Sequence, residues 1–179
     1  MNPRAATASN RQTRPIGPLC AAVLTVLSTS NALGEAEGHS VPHCTLTAVG
    51  SNKRLDLRQL QGKVVYVDFW ASWCGPCAQS FPFMNTLDRD LRDRGLRVVG
   101  INLDEDPADA QDFLSKRPAR FAVAMDADKS CAQSFGVQAM PSTYVIDRKG
   151  VIRHVHLGFR PGEADNVRDV VERLLAENP

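Results

Sequence analysis

Two cysteines that lie three residues apart carry the clearest chemical signal in this chain. Cys74 and Cys77 enclose Gly75 and Pro76 within the stretch FWASWCGPC. Such a pair can bind a metal, carry a haem, close a structural disulfide or exchange electrons with the cysteines of another protein. Haem attachment needs a histidine directly after the second cysteine, where this chain has Ala78. Structural zinc usually takes its four ligands from two such pairs, and the chain has one, so the spacing favours redox exchange.

The segments around the pair predict a strand followed by a helix. Residues 63–70 (KVVYVDFW) are almost all apolar or β-branched, which is typical of a strand buried on both faces. Apolar residues then recur at helical spacing and predict a helix over residues 74–94, which Gly95 ends. Pro82 lies inside this helix and is expected to kink it. The cysteine pair therefore belongs at the start of the helix.

The start of a helix is where a cysteine most easily becomes a thiolate. Free backbone N–H groups and the positive end of the helix dipole stabilise the anion and lower a thiol pKa from about 8.5 by roughly one unit. We therefore expect Cys74 to be the nucleophile. Cys77 lies one turn further on the same side and is expected to be the more buried, resolving thiol. Pro76 has no N–H to lose in the first turn and stiffens it.

The rest of the chain predicts further strands and helices around this unit. Two short alternating runs within residues 43–60 predict a hairpin. The same periodicities predict strands at 96–103 and 121–125, helices at 106–114 and 129–135, antiparallel strands at 142–147 and 151–159, and a terminal helix at 163–177. A β-α-β-α-β order followed by a hairpin and a helix indicates an α/β domain with a mixed sheet.

Beyond these patterns, the sequence resembles the thioredoxin superfamily over about residues 43–177. The motif W-C-G-P-C after V-D-F-W-A carries the resemblance. Pro82 matches the family's kink proline, Met140-Pro141 its cis-proline and Gly158 its late glycine. The lead-in hairpin, the F-P-F-M stretch, a helix inserted after INLDED and an export signal narrow the resemblance to TlpA/ResA-type proteins. It implies a thioredoxin fold with a mixed central sheet flanked by helices, an N-terminal β-hairpin and an inserted helix.

The resemblance also implies a function. TlpA/ResA-type proteins are similar to membrane-tethered or periplasmic disulfide reductases, and several of these serve cytochrome c maturation. We expect a monomeric thiol:disulfide oxidoreductase that reduces client proteins bearing disulfides, because the Gly-Pro between the cysteines resembles reducing members. Its redox group is expected to be the Cys74–Cys77 disulfide, with no further cofactor, and its electrons are expected to come from a membrane-embedded donor. The residues expected to bind substrate are Trp73, Gly75, Pro76, Met140 and Pro141.

Asp68 is the third residue with an expected catalytic role. It lies mid-strand in an apolar run, where burial raises the pKa of a carboxyl, and it could relay a proton to or from Cys77. Thioredoxin has an aspartate at this position, which supports the relay; a purely structural carboxylate is the alternative. Two departures weaken the comparison. Gly100 stands where thioredoxin has a lysine, and Ser80 stands where TlpA/ResA-type chains often have an acid.

Several weaker signals leave alternatives open. Cys44 and Cys131 either form a second disulfide or remain two buried thiols. His154 and His156 share one face of a strand, but without a visible third ligand we expect a polar surface and no metal site. Exposed docking residue and core residue are equally good interpretations of Trp70. The mixed charges over residues 88–94 are expected to form a solvated helix face.

The N-terminal 34 residues have the composition of a secretory signal peptide. Arginines without acids precede an uncharged stretch whose most apolar part is Leu19–Leu27, and small residues follow. The apolar part is short for a membrane span, which favours a signal peptide. An uncleaved N-terminal anchor is the alternative. We expect a periplasmic or otherwise exported protein, with a flexible lead-in at 35–42 and the domain at 43–177. The net charge of +1 gives no reason to expect a nucleic-acid partner.

Two other functions remain open for this chain. One is a thiol peroxidase-like antioxidant protein, which would consume peroxide. The other is a binding or chaperone module that carries the fold without catalysis, an interpretation that the presence of both Cys74 and Cys77 disfavours.

Overall fold

The computed structural model describes Met1 and residues 36–51, 53–160 and 162–177. Apart from Met1, the predicted signal peptide lies outside the described residues. Within these ranges, none of the helices combines the length and the apolar character that crossing a bilayer requires. The helices and strands are, in chain order, β1 (Leu46–Ala48), β2 (Arg54–Leu55), β3 (Val64–Trp70), α1 (Gly75–Leu91), β4 (Leu96–Asn102), α2 (Pro107–Lys116), β5 (Ala122–Met125), α3 (Ser130–Phe135), β6 (Ser142–Ile146), β7 (Ile152–Leu157) and α4 (Ala164–Ala176).

One seven-stranded mixed sheet organises the domain, with strand order β2-β1-β5-β4-β3-β6-β7. Strands β3, β4 and β5 are parallel, whereas β6 runs antiparallel to β3 and pairs with β7. This is the mixed central sheet flanked by helices that the sequence predicts. At the far edge β1 pairs antiparallel with β2 and with β5.

The alternation of side chains along β3 divides the core into two layers. Tyr66 and Trp70 face a cluster that contains both Cys74 and Cys77 and the apolar faces of α1, α2 and α4. Val67 faces the opposite cluster, which contains α3 and the N-terminal strands. Every residue of β3 is buried, including Asp68, as its almost continuous apolar run predicts.

Trp70 belongs to the core, so its interpretation as a docking residue is wrong. Its side chain is fully buried, and its ring centroid lies 4.9 Å from that of Phe81 and 4.8 Å from that of Phe113. Asp68 of β3 pairs in register with Gly100 of β4. The indole of Trp70 also explains why this position of β4 is a glycine. A Cβ at Gly100 would lie 3.1 Å from Trp70 Nε1 and 3.0 Å from the Phe121 ring, so a longer side chain has no room there.

The predicted helix over residues 74–94 is a shorter α-helix with a different ending. It stops at Leu91, and a 3₁₀ turn over Arg92–Arg94 leads to Gly95 in the left-handed region (φ +105°). The prediction of a solvated face fails at Asp88, which is buried and forms an ion pair with Arg92. Burial is tolerated there because the carboxylate is paired.

The N-terminal part of the domain is tied down at two points. The lead-in at 35–42, expected to be flexible, forms backbone hydrogen bonds with the start of β7: Gly38 N–H donates to Ile152 O at 2.8 Å, and Ile152 N–H donates to His39 O at 2.9 Å. The structure also answers the open question about Cys44 and Cys131. They form a disulfide in the core layer opposite the Cys74–Cys77 pair.

Candidate active site

Cys74 occupies the N-cap position of α1, as its sequence position predicts. Its extended backbone (φ −84°, ψ 104°) turns the side chain over the first turn, so that Cys74 Sγ accepts a hydrogen bond from Cys77 N–H at 3.2 Å. The two cysteines form a disulfide with a Cα–Cα distance of 5.2 Å. Cys77 is fully buried and Cys74 is 6% exposed, so Cys74 is the sulfur that a partner can reach. The Cys77 N–H directed at this sulfur and the positive end of the helix dipole stabilise the thiolate that reduction releases.

The loop that leads into Cys74 is held by a carboxylate that sequence reasoning missed. Asp104 is buried just beyond β4, and its oxygens accept from Ser72 N–H at 3.0 and 3.1 Å and from Ser72 Oγ at 3.1 Å. Asn102 Nδ2 donates to the same carboxylate at 2.8 Å. The sequence feature that could have predicted this contact is an acid directly after a buried parallel strand. Ligand-binding and active sites of such sheets form at the carboxyl ends of the strands.

The Met140–Pro141 peptide bond is cis, which confirms the expectation from the resemblance. Pro141 O accepts from Gly158 N–H at 2.8 Å, and Gly158 adopts φ +80°, a conformation that favours glycine. Since β6 runs antiparallel to β3 and Ser142 lies opposite Phe69, this loop lies at the same sheet edge as the dithiol.

The residues predicted to bind substrate lie around this edge. Trp73 is 74% exposed directly before Cys74, and Gly75 and Pro76 are exposed directly after it. Met140 packs partly buried against the cluster that contains both cysteines. The fold thus places all five at the same end of the sheet as the disulfide, while their contacts with a substrate stay a prediction.

Asp68 is fully buried on the face of β3 that the dithiol cluster covers. Its Oδ1 accepts from Thr143 Oγ1 at 2.7 Å, and its Oδ2 has no hydrogen-bond partner among the described residues. Burial raises the pKa of Asp68 to about 7, and the hydrogen bond from Thr143 partly opposes this rise. A carboxyl with a pKa near neutrality can exchange protons under physiological conditions.

Ser80, which stands where TlpA/ResA-type chains often have an acid, has a structural role. Ser80 is fully buried, and its hydroxyl donates to Cys77 O at 2.9 Å. It braces the backbone of the resolving cysteine from within α1 and supplies no charge.

The two histidines of β7 do not form the exposed polar face expected of them. Their side chains are half-buried, with ring centroids 6.4 Å apart. His154 Nδ1 lies 3.7 Å from Glu37 Oε1, and His156 Nε2 lies 3.2 Å from Glu163 Oε2 without hydrogen-bond geometry. Among the residues that the structure describes, no three His, Cys, Asp or Glu side chains converge as metal ligands would.

The fold together with this cysteine pair defines a thioredoxin-like thiol:disulfide oxidoreductase of the TlpA/ResA type. The chain belongs to the Redoxin family, whose sequence model matches residues 36–174.

Known relatives agree with this assignment. The chain is 29% identical over 123 residues to the thiol-disulfide oxidoreductase ResA of Bacillus subtilis, covering 69% of this chain and 68% of the relative. It is 32% identical over 129 residues to the thioredoxin-like protein YneN of the same species, covering 70% and 74%. A Chlorobium tepidum structure assigned as the thiol:disulfide interchange protein DsbE superposes with a TM-score of 0.75 at 38% identity, covering 78% of this chain and 98% of that one.

Proposed function

We propose that this oxidoreductase acts as a reductase of protein disulfides outside the cytoplasm, using the Cys74–Cys77 dithiol as its redox group and no further cofactor. One observation carries the proposal: Cys74 Sγ caps α1 and accepts a hydrogen bond from Cys77 N–H, while Cys77 is fully buried behind it. One sulfur is thus reachable and stabilised as a thiolate, and the other is withheld for the second step.

The reaction follows from this asymmetry. The Cys74 thiolate attacks one sulfur of a client disulfide, forms a mixed disulfide and expels the first client thiolate. Cys77 then passes its proton to Asp68 Oδ2, and the Cys77 thiolate attacks Cys74 Sγ and expels the second client thiolate. The client disulfide gains two electrons and becomes a dithiol, while the protein's dithiol loses two and becomes the disulfide. A membrane-embedded donor dithiol returns the electrons by the reverse exchange.

We propose that clients dock on the surface around the reactive sulfur. Trp73 offers a large exposed apolar side chain there, and Gly75 and Pro76 present a backbone without bulky side chains. The Met140–Pro141 loop lies at the same end of the sheet as this sulfur, and a client segment in extended conformation would pair with the backbone of the loop.

Location and biological role rest on the sequence and on the relatives. A basic segment followed by a short apolar stretch supports export through residues 1–34, either cleaved or kept as an anchor on the outer face of the inner membrane. Similarity to proteins described as ResA and DsbE supports a role in cytochrome c maturation or in general redox homeostasis of that compartment. We propose that the protein acts there as a monomer.

Trapping tests the function directly. The Cys77→Ser variant should accumulate a mixed disulfide with its clients, whereas Cys74→Ser should accumulate none and should lose insulin reduction. Mass spectrometry of the trapped complexes then identifies the clients. Absence of any mixed disulfide with Cys77→Ser, also after mild unfolding of the clients, contradicts the exchange mechanism. Rapid peroxide consumption by the reduced protein without insulin reduction would instead identify a peroxidase, and neither activity would identify a binding module.

A further inference from the structure

Three polar side chains form a hydrogen-bonded chain beneath the dithiol. Asp68 Oδ1 accepts from Thr143 Oγ1 at 2.7 Å, and Thr143 Oγ1 lies 3.2 Å from the hydroxyl oxygen of Tyr66. All three are buried, with side chains at most 3% exposed. Asp68 and Thr143 are direct cross-strand neighbours of β3 and β6, and Tyr66 precedes Asp68 by two residues on the same face of β3.

The direction of the hydrogen bonds is fixed by the number of protons. An ionised carboxylate can only accept hydrogen bonds, so Thr143 uses its single hydroxyl proton to donate a hydrogen bond to Asp68. Thr143 Oγ1 must then accept from Tyr66, which keeps its own proton because burial and the neighbouring Asp68 charge raise the Tyr66 pKa well above its ordinary value. The chain therefore runs from Tyr66 through Thr143 to Asp68 Oδ1.

This arrangement leaves one oxygen of Asp68 committed and the other free. Oδ1 holds the Thr143 hydrogen bond, and it keeps that bond after protonation because the carbonyl oxygen of a neutral acid also accepts. Oδ2, which has no partner among the described residues, is then the oxygen at which a proton can be taken up and released. A carboxyl that is pinned on one side can exchange its proton without rotating.

We propose that Thr143, backed by Tyr66, is a positioning residue for this proton exchange: it pins Asp68 and sets the pH range in which Asp68 Oδ2 can accept the proton of Cys77. The inference rests on the proposed function, because it assigns a partner to the relay described there. The buried hydroxyl pair stabilises the carboxylate where Gly100 offers no side chain to do so, since the Trp70 indole occupies the space beside it.

The groups that face this relay come from each neighbouring element. On β3 the titratable neighbour of Asp68 is Tyr66, and from α1 the Cys74–Cys77 pair lies in the cluster packed on the same face. β4 contributes Gly100 opposite Asp68. β7 contributes His156, which pairs with Thr143 in register and contacts Glu163, the N-cap residue of α4, at the sheet edge.

The test compares substitutions at Thr143 that differ in one hydroxyl. Thr143→Val removes the donor with little change of shape, and Thr143→Ser keeps the donor. The Asp68 carboxyl is titrated by ¹³C NMR of aspartate-labelled reduced protein, and the pH profile of the second step is measured by single-turnover release of a client from the mixed disulfide. Because charged hydrogen bonds are strong, Thr143→Val should raise the pKa of Asp68 by roughly one to two units. Thr143→Ser should leave it near the wild-type value, and Tyr66→Phe should raise it by less than Thr143→Val.

The kinetic readout separates this inference from the proposed function. The ascending limb of the release profile should move to higher pH in Thr143→Val by the same interval as the NMR titration, and it should disappear in Asp68→Asn with or without Thr143→Val. If Asp68→Asn changes the profile while Thr143→Val shifts neither the titration nor the limb, the Thr143 inference is overturned and the relay stands. If Asp68→Asn leaves the profile unchanged, the relay itself fails. Near-ultraviolet circular dichroism confirms that each variant is folded, and the NMR titration needs no activity.

Discussion

Replacing Asp68 with asparagine should make the folded protein more stable at alkaline pH while slowing its chemistry. Burial raises the pKa of this carboxyl from 3.8 to about 7. A carboxyl whose pKa is higher in the folded state than in the unfolded state binds its proton more tightly when folded. The stability that protonated Asp68 contributes is therefore fully present below pH 3.8. It is lost as the pH rises to about 7. Each pKa unit corresponds to about 1.36 kcal/mol, so ionised Asp68 costs up to about 4 kcal/mol above pH 7. Asparagine resembles the neutral acid and avoids this cost.

Urea unfolding of the oxidised protein at several pH values measures the effect. Asp68→Asn should match the wild type near pH 3.5, exceed its free energy of unfolding increasingly up to about pH 7, and keep that gain at pH 8. Asp104→Asn provides a matched control at a second buried carboxylate. It should lose about 2 kcal/mol, because Asp104 accepts hydrogen bonds from Ser72 and Asn102 that an amide cannot all accept. A gain in Asp68→Asn that does not vary with pH, or no gain at pH 8, would refute the assignment of a raised pKa.

Two further variants test the second disulfide and the docking surface. Replacing both Cys44 and Cys131 with alanine opens a link between residues 87 positions apart, which should lower the free energy of unfolding by about 4 to 5 kcal/mol while insulin reduction persists; free thiols in the wild-type protein by peptide mapping would contradict this. Trp73→Ala should change stability by less than about 0.5 kcal/mol, because the side chain is 74% exposed, yet raise the KM for protein clients and leave a small-molecule disulfide unaffected. Equal effects on both substrates would contradict docking at Trp73.

Local patterns in the sequence were sufficient for the core of the site. The spacing of Cys74 and Cys77 after an apolar run placed the pair at a helix start, because strand and helix periodicities change at that point. The cis bond at Met140–Pro141 followed from the family resemblance, whereas an isolated X-Pro pair carries little information about its isomer.

Features that depend on contacts between distant elements were not predictable from the sequence. The burial of Trp70 depends on aromatic rings from α1, α2 and the segment before β5. The pairing of Cys44 with Cys131 required positions that only the assembled sheet supplies. Similarly, Thr143 is adjacent to Asp68 only through the register of β6 on β3. The Asp104 tie came closest to being predictable, since an acid after a buried strand is a local signal.

The acidity of one thiol tests the central claim of this account most directly. The reduced protein is titrated by thiolate absorbance at ultraviolet wavelengths, with Cys77→Ser used to assign the signal to Cys74. The helix start and the hydrogen bond from Cys77 N–H predict a Cys74 pKa below the ordinary value of about 8.5 by roughly one unit or more. A Cys74 thiol that stays protonated up to or beyond that ordinary value would contradict the account.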